Sequence, residues 1–173
     1  MKRLVAVAIG ASLVLSVLAG QARAEDWTKA TIKGTLAKAE AKIKDKGEVK
    51  LERINGTGMK EDGTFDLTQP GSTLQFQFKA GGKSWSVSFT GIGTPEPYSG
   101  VTESPVAGEN LPPGLAAKCK DGAELAKAAK AAGVGFPATI SIYAPQPGKV
   151  WAVVTDANGN NVILDPTTAE KAM

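Results

Sequence analysis

The feature that most constrains this chain is a strand written twice. Gly-Lys-x-Trp-x-Val occupies residues 82–87 and returns at 148–153. Around the first copy the partner strand can be read directly. TLQFQFKA and KSWSVSFT flank Gly81-Gly82, a two-residue connection that suits the positive backbone angles of a tight hairpin. With those glycines as the turn, Phe78 opposes Trp85, Phe76 opposes Val87 and Leu74 opposes Phe89, while Gln77 meets Ser86 and Gln75 meets Ser88. Every pair matches in polarity, and a slip of one residue would destroy all of them. Trp85 is therefore expected on a buried face.

The second copy invites the same treatment. ATISIYA, a PQPG turn, KVWAVVTDA, an Asn158-Gly159 hairpin signal and NVILD follow one another. Two-residue turns would set Ile142 against Trp151, Ile140 against Val153, Thr155 against Val162 and Val153 against Leu164. That register puts Trp151 in the core as well. Val150, Val154 and Ile163 then form a partly apolar opposite face where two halves of the molecule can meet.

Each meander is preceded by a helical pattern. Ile32, Leu36, Ala39 and Ile43 recur at helical spacing within 28–45, with lysines on the remaining faces and Gly47 as a stop. Asp121, with Glu124 three residues on, caps a second helix that ends at Gly133. Leu-Ala-Lys-Ala is common to both, at 36–39 and 125–128. EVKLERINGTG reads as a half-buried strand, and residues 65–67 as a short one. The expected fold class is α+β: two tandem helix-plus-antiparallel-meander units, each helix packed on one face of its own sheet. The units span 25–90 and 115–173, joined by a Pro/Gly-rich linker at 91–114 that holds five of the ten prolines and no basic residue.

Met1-Lys2-Arg3, an apolar run to Leu18 and the small residues of Ala22-Arg23-Ala24 read as a signal peptide, 1–24, cleaved after Ala24. The expected destination is the periplasm or the medium, with no membrane span in the mature chain. Losing Lys2, Arg3 and Arg23 leaves 17 basic residues against 17 acidic ones. No electrostatic footprint for nucleic acid remains. The single cysteine, Cys119, cannot close an internal disulfide and reads as a small buried residue beside Leu115.

The chain has no histidine, which removes the common nucleophile–histidine systems and histidine-ligated metals. DANGNN places its glycine wrongly for a calcium loop and reads as a hairpin turn. No catalytic, metal or cofactor residues are assigned, and no enzymatic activity is expected. The candidate binding residues are Glu96, Tyr98 and Glu103 in the linker, and Gln75 and Gln77 on the uncharged face of the first hairpin.

The stretches AELAKAAKAAG and KVWAVVTDANGNNVILDPTT, within 121–168, resemble a PepSY-type domain, the small module of peptidase propeptides and other secreted bacterial proteins. Residues 28–90 resemble a more divergent copy. A tandem of such units is also similar in plan to the β-lactamase inhibitor proteins, whose disulfides a one-cysteine chain cannot make. What the PepSY resemblance implies is a cofactor-free module that binds or inhibits a peptidase or another secreted or envelope protein. A small-ligand carrier and a structural envelope protein are the competing expectations.

Overall fold

The structure is a computed structural model and describes residues 25–105 and 108–172. The expected signal peptide and its cleavage site lie outside the described residues. Chain order is α1 (Ile32–Ile43), β1 (Lys50–Met59), β2 (Thr73–Ala80), β3 (Lys83–Thr90), β4 (Tyr98–Ser104), α2 (Leu115–Lys118), α3 (Gly122–Ala131), β5 (Ala138–Gln146), β6 (Lys149–Asp156) and β7 (Asn161–Leu164). All seven strands join one antiparallel sheet in the order β4-β3-β2-β1-β5-β6-β7. The mixed helix and antiparallel-sheet class is as expected. The strands before and after the 91–114 segment do not form separate sheets, because β1 pairs directly with β5 through Ile54–Ile142 and its neighbours.

Helix α1 is shorter than its periodic pattern. The backbone at Ala30 is extended and exchanges two hydrogen bonds with Phe65, so the 27–29 turn stands apart from the helix. Thr31 then caps α1 by accepting from Gly34 N at 3.1 Å. Asp121 caps α3 in the same way, accepting from Glu124 N. Ile32 and Leu36 of α1 lie over Ile54 and Ile142, so the helices cover the centre of the sheet on one side. One continuous core results, running from Phe76, Phe78 and Phe89 to Leu125, Val154 and Leu164.

Residues 65–67 are not a strand. Phe65 makes only isolated bridges to Ala30 and Met59, although Phe65 and Leu67 are fully buried. The backbone turns too tightly on either side: the Asp62 and Asp66 carboxylates each accept from the amide and hydroxyl of the threonine two residues on. The 91–114 segment also departs from a plain connector, since its residues 98–104 are β4, in continuous register with β3.

The β2–β3 register is the expected one, pair for pair. The second meander corrects its expectation. Tyr143 opposes Trp151, Ile142 opposes Ala152 and Ile140 opposes Val154; on the far side Ala152 opposes Leu164 and Val154 opposes Val162. Two causes combine. Pro145 has no N–H for the ladder, and the register shifts between Tyr143 and Gln146. At the other end the loop is Ala157-Asn158-Gly159, one residue longer than a two-residue turn, with Asp156 N bonded to Asn160 O and Gly159 at φ 85°. The Asp156 carboxylate fixes that loop by accepting from the amides of Asn158 and Asn160, each at 2.9 Å. A shift of one residue turns the strand over. Ala152 and Val154, not Trp151 and Val153, face the helices.

Candidate interaction face

The alternation of the strands assigns every side chain to one of two sides. Leu74, Phe76 and Phe78, with Val87, Phe89, Ile54, Ile140, Ile142, Ala152, Val154 and Leu164, take the helix side. No described element covers the other side. Seven strands at about 4.8 Å spacing make it roughly 29 Å wide.

Three lateral rows cross this open face. The first is Thr90-Thr73-Thr57-Thr139-Thr155, five threonines on five neighbouring strands, ended by Tyr98 on β4 and Asn161 on β7. The second runs Gly100-Ser88-Gln75-Asn55-Ser141-Val153-Ile163. The third runs Thr102-Ser86-Gln77-Arg53-Tyr143-Trp151. The threonine row is polar throughout, whereas in the other two rows the apolar and aromatic groups, Tyr143, Trp151, Val153 and Ile163, lie on β5–β7.

Hydrogen bonds and stacking hold these side chains in place. Ser141 Oγ donates to Asn55 Oδ1 at 2.9 Å, and Asn55 Nδ2 donates to Gln75 Oε1 at 3.3 Å, linking β5, β1 and β2. The Arg53 guanidinium lies 5.1 Å from the Tyr143 ring centre. Tyr143 meets Trp151 edge-on, with centroids 6.3 Å apart and planes at 78°. All three are half-buried and retain exposed surface. Cation–π and edge-to-face contacts of this kind orient aromatic groups without burying them.

Of the five residues singled out from sequence, the structure gathers three. Gln75, Gln77 and Tyr98 share the open face, the Tyr98 ring lying over Gly100. Glu103 is on the other side of β4 opposite Trp85, where it pairs with Lys83 at 2.8 Å. Glu96 sits in the turn before β4, its carbonyl accepting from Thr94 Oγ1. Arg53, Tyr143 and Trp151 were missed. The signal that could have found them is Pro145, which argues against a regular hairpin and so against Trp151 in the core.

One hollow borders the site, and a second lies beneath the helices on the other side of the sheet. A groove of about 800 Å³ continues the threonine row past Thr57, Thr139 and Thr155 toward Pro70 and Phe136. Its charges are already engaged: Lys60 with Asp66 at 3.3 Å, Glu61 with Lys130, and Asp156 with its turn. Hydrogen bonding, first from Asn160 and then from Gly135 N, holds the Asp156 carboxyl below its ordinary value of 3.8. A second hollow, about 100 Å³ and apolar, lies between α1 and α2 and is walled partly by Cys119. Burial pushes the Cys119 thiol up to about 11, so it is no nucleophile at neutral pH. Among the described residues no cluster of three or more His, Cys, Asp or Glu is placed to hold a metal ion.

No family model matches the chain. No curated protein matches it, and no solved structure does.

Proposed function

We propose that the chain is an exported, non-enzymatic binding module that grips another secreted or envelope protein, such as a peptidase, through the open face of its sheet. In this reading residues 1–24 are removed on export. The mature chain derives from two tandem PepSY-like helix-plus-meander units, 25–90 and 115–173. Binding needs no cofactor.

The observation that carries the reading is the Arg53–Tyr143–Trp151 cluster, held half-exposed beside an uncharged array of serine, asparagine, glutamine and threonine. Arginine, tyrosine and tryptophan dominate the energetic centres of protein interfaces, and serine and asparagine supply adaptable hydrogen bonds around them. The three side chains keep part of their surface exposed on a side of the sheet that no helix or strand among the described residues covers. Gln75, Gln77 and Tyr98 would form its polar margin.

The test is affinity capture from bacterial envelope extract with the immobilised mature chain, alongside Trp151→Ala and Lys127→Ala variants. A specific protein retained by wild type and Lys127→Ala, and reduced at least about tenfold by Trp151→Ala, supports the reading. Equal capture by all three, or no specific protein, overturns it. The 800 Å³ groove gives a carrier of small neutral ligands as a second reading, since its volume suits a drug-sized molecule. Native mass spectrometry of the purified chain decides that reading by the presence or absence of a retained ligand.

A further inference from the structure

The two edges of the sheet are treated differently. Along β7 the chain covers its own edge: Ala172 N donates to Ile163 O at 2.8 Å and Lys171 bridges Leu164. Along β4 nothing among the described residues lies outside Tyr98–Glu103, and β4 pairs inward only, with β3. An open strand edge is a template for another strand, and proteins usually blunt it with lysine, proline or a bulge. None of these lies inside 98–103, where the β3–β4 register runs without a break.

A second observation falls on the same edge. Three large apolar residues stand exposed among the described residues: Ile92 at 56%, Tyr98 at 61% and Val101 at 38%. Tyr98 and Val101 belong to β4, while Ile92 lies beside the 68–72 segment, to which Gly91 N and Gly93 N are bonded. The strand is also complementary to itself. Turned antiparallel about Val101, it sets Val101 against Val101, Gly100 against Thr102 and Ser99 against Glu103, with no like charges opposed.

We propose that β4 is a self-association edge, at which two copies of this chain pair antiparallel about Val101 and continue their sheets into one. The twofold axis runs between the two Val101 residues, the pairing is isologous, and both open faces end on the same side of the joined sheet. Backbone hydrogen bonds supply the recognition, and Tyr98 flanks it. The contact is a single strand pair, well below the area of a permanent dimer, so association is weak and depends on concentration. It uses the backbone of β4 and not the Arg53–Tyr143–Trp151 cluster.

The experiment is disulfide trapping, supported by sedimentation of the full mature chain. Paired about the axis, Val101→Cys brings two Cα atoms to about 4.5–5.5 Å, within reach of a disulfide. Native Cys119 is buried and does not compete. Val101→Cys should give a covalent dimer faster than Glu96→Cys, an exposed control in the turn before β4; an equal or slower rate overturns the proposal. Ser99→Lys, set against Glu103 of the second copy, should tighten association roughly two- to tenfold. Weakening or no change counts against the register. Wild type that stays monomeric up to about 1 mM overturns the whole inference.

Discussion

At the scale of single residues, Trp85 and Trp151 hold the same place in a repeated hexapeptide yet face opposite sides of the sheet. Trp85 lies on the helix side, its indole N–H donating to Ala80 O at 3.2 Å and Lys46 5.1 Å from its ring. Its position was legible because Gly81-Gly82 is a turn with one solution and both strands alternate cleanly. Trp151 was not, because its face depends on where Pro145 breaks the ladder and on a carboxylate that selects a longer loop, and neither is a matter of hydrophobic pattern. Glu52 is a second residue that no pattern flags. It sits at the β1 bulge, 1% exposed, and neither carboxylate oxygen has a hydrogen-bond partner among the described residues. A buried polar group without partners costs stability, so Glu52→Leu should raise unfolding free energy by about 1–3 kcal/mol in urea denaturation. A less stable variant would mean that Glu52 is satisfied in solution.

Titration gives a second residue-level prediction. Asp62, Asp66 and Asp165 are each held below the ordinary 3.8, mainly by the hydroxyl of the threonine two residues on. Asp156 is held down by its turn. Carboxyls depressed in the folded state add stability above their unfolded value, and that stability is lost as pH falls below about 3.8. Cys119 has the opposite sign. Its contribution is complete below its ordinary 9.0 and is lost as pH rises through about 11. Denaturation midpoints measured against pH should fall at both ends, and Cys119→Ala should remove part of the alkaline fall between pH 9 and 11. Identical alkaline limbs would contradict the buried thiol.

At the scale of elements, helices and hairpins were legible where local chemistry decided them, as with the Asp121 cap of α3. The β1–β2 loop was not, because its conformation is set by distant contacts. Gly63 in that loop packs against Gly122 at the start of α3 so closely that a Cβ on Gly122 would stand 2.2 Å from Gly63 O. The Glu61–Lys130 ion pair ties the same two elements. Gly→Ala in a helix ordinarily stabilises by up to about 1 kcal/mol. Here the contact reverses the sign: Gly122→Ala should destabilise by about 2 kcal/mol or more, read from the shift in thermal midpoint. β4 escaped notice for a related reason. Apart from Tyr98 and Val101 its residues are small or polar, and its conformation is imposed by pairing with β3, not by any periodicity of its own.

At the scale of the whole molecule, the antiparallel class followed from the meanders, but the joining of their strands into one sheet did not. That joining depends on β1, which lies between β2 and β5 and would be an edge strand if the sheets were separate. Its polar residues, Asn55 and Thr57, look like those of a wetted strand because they line the open face. The same arrangement leaves that face uncovered and turns Arg53, Tyr143 and Trp151 outward together, so the functional reading stands on the β1–β5 pairing.

Backbone hydrogen exchange followed by NMR tests that pairing most directly. Amides of Ile54 and Asn55 in β1, and of Ser141 and Ile142 in β5, should exchange among the slowest in the protein, opening only with global unfolding. Fast exchange along β1 and β5 beside slow exchange in β3 and β6 would mean two sheets meeting at open edges, and would contradict the account.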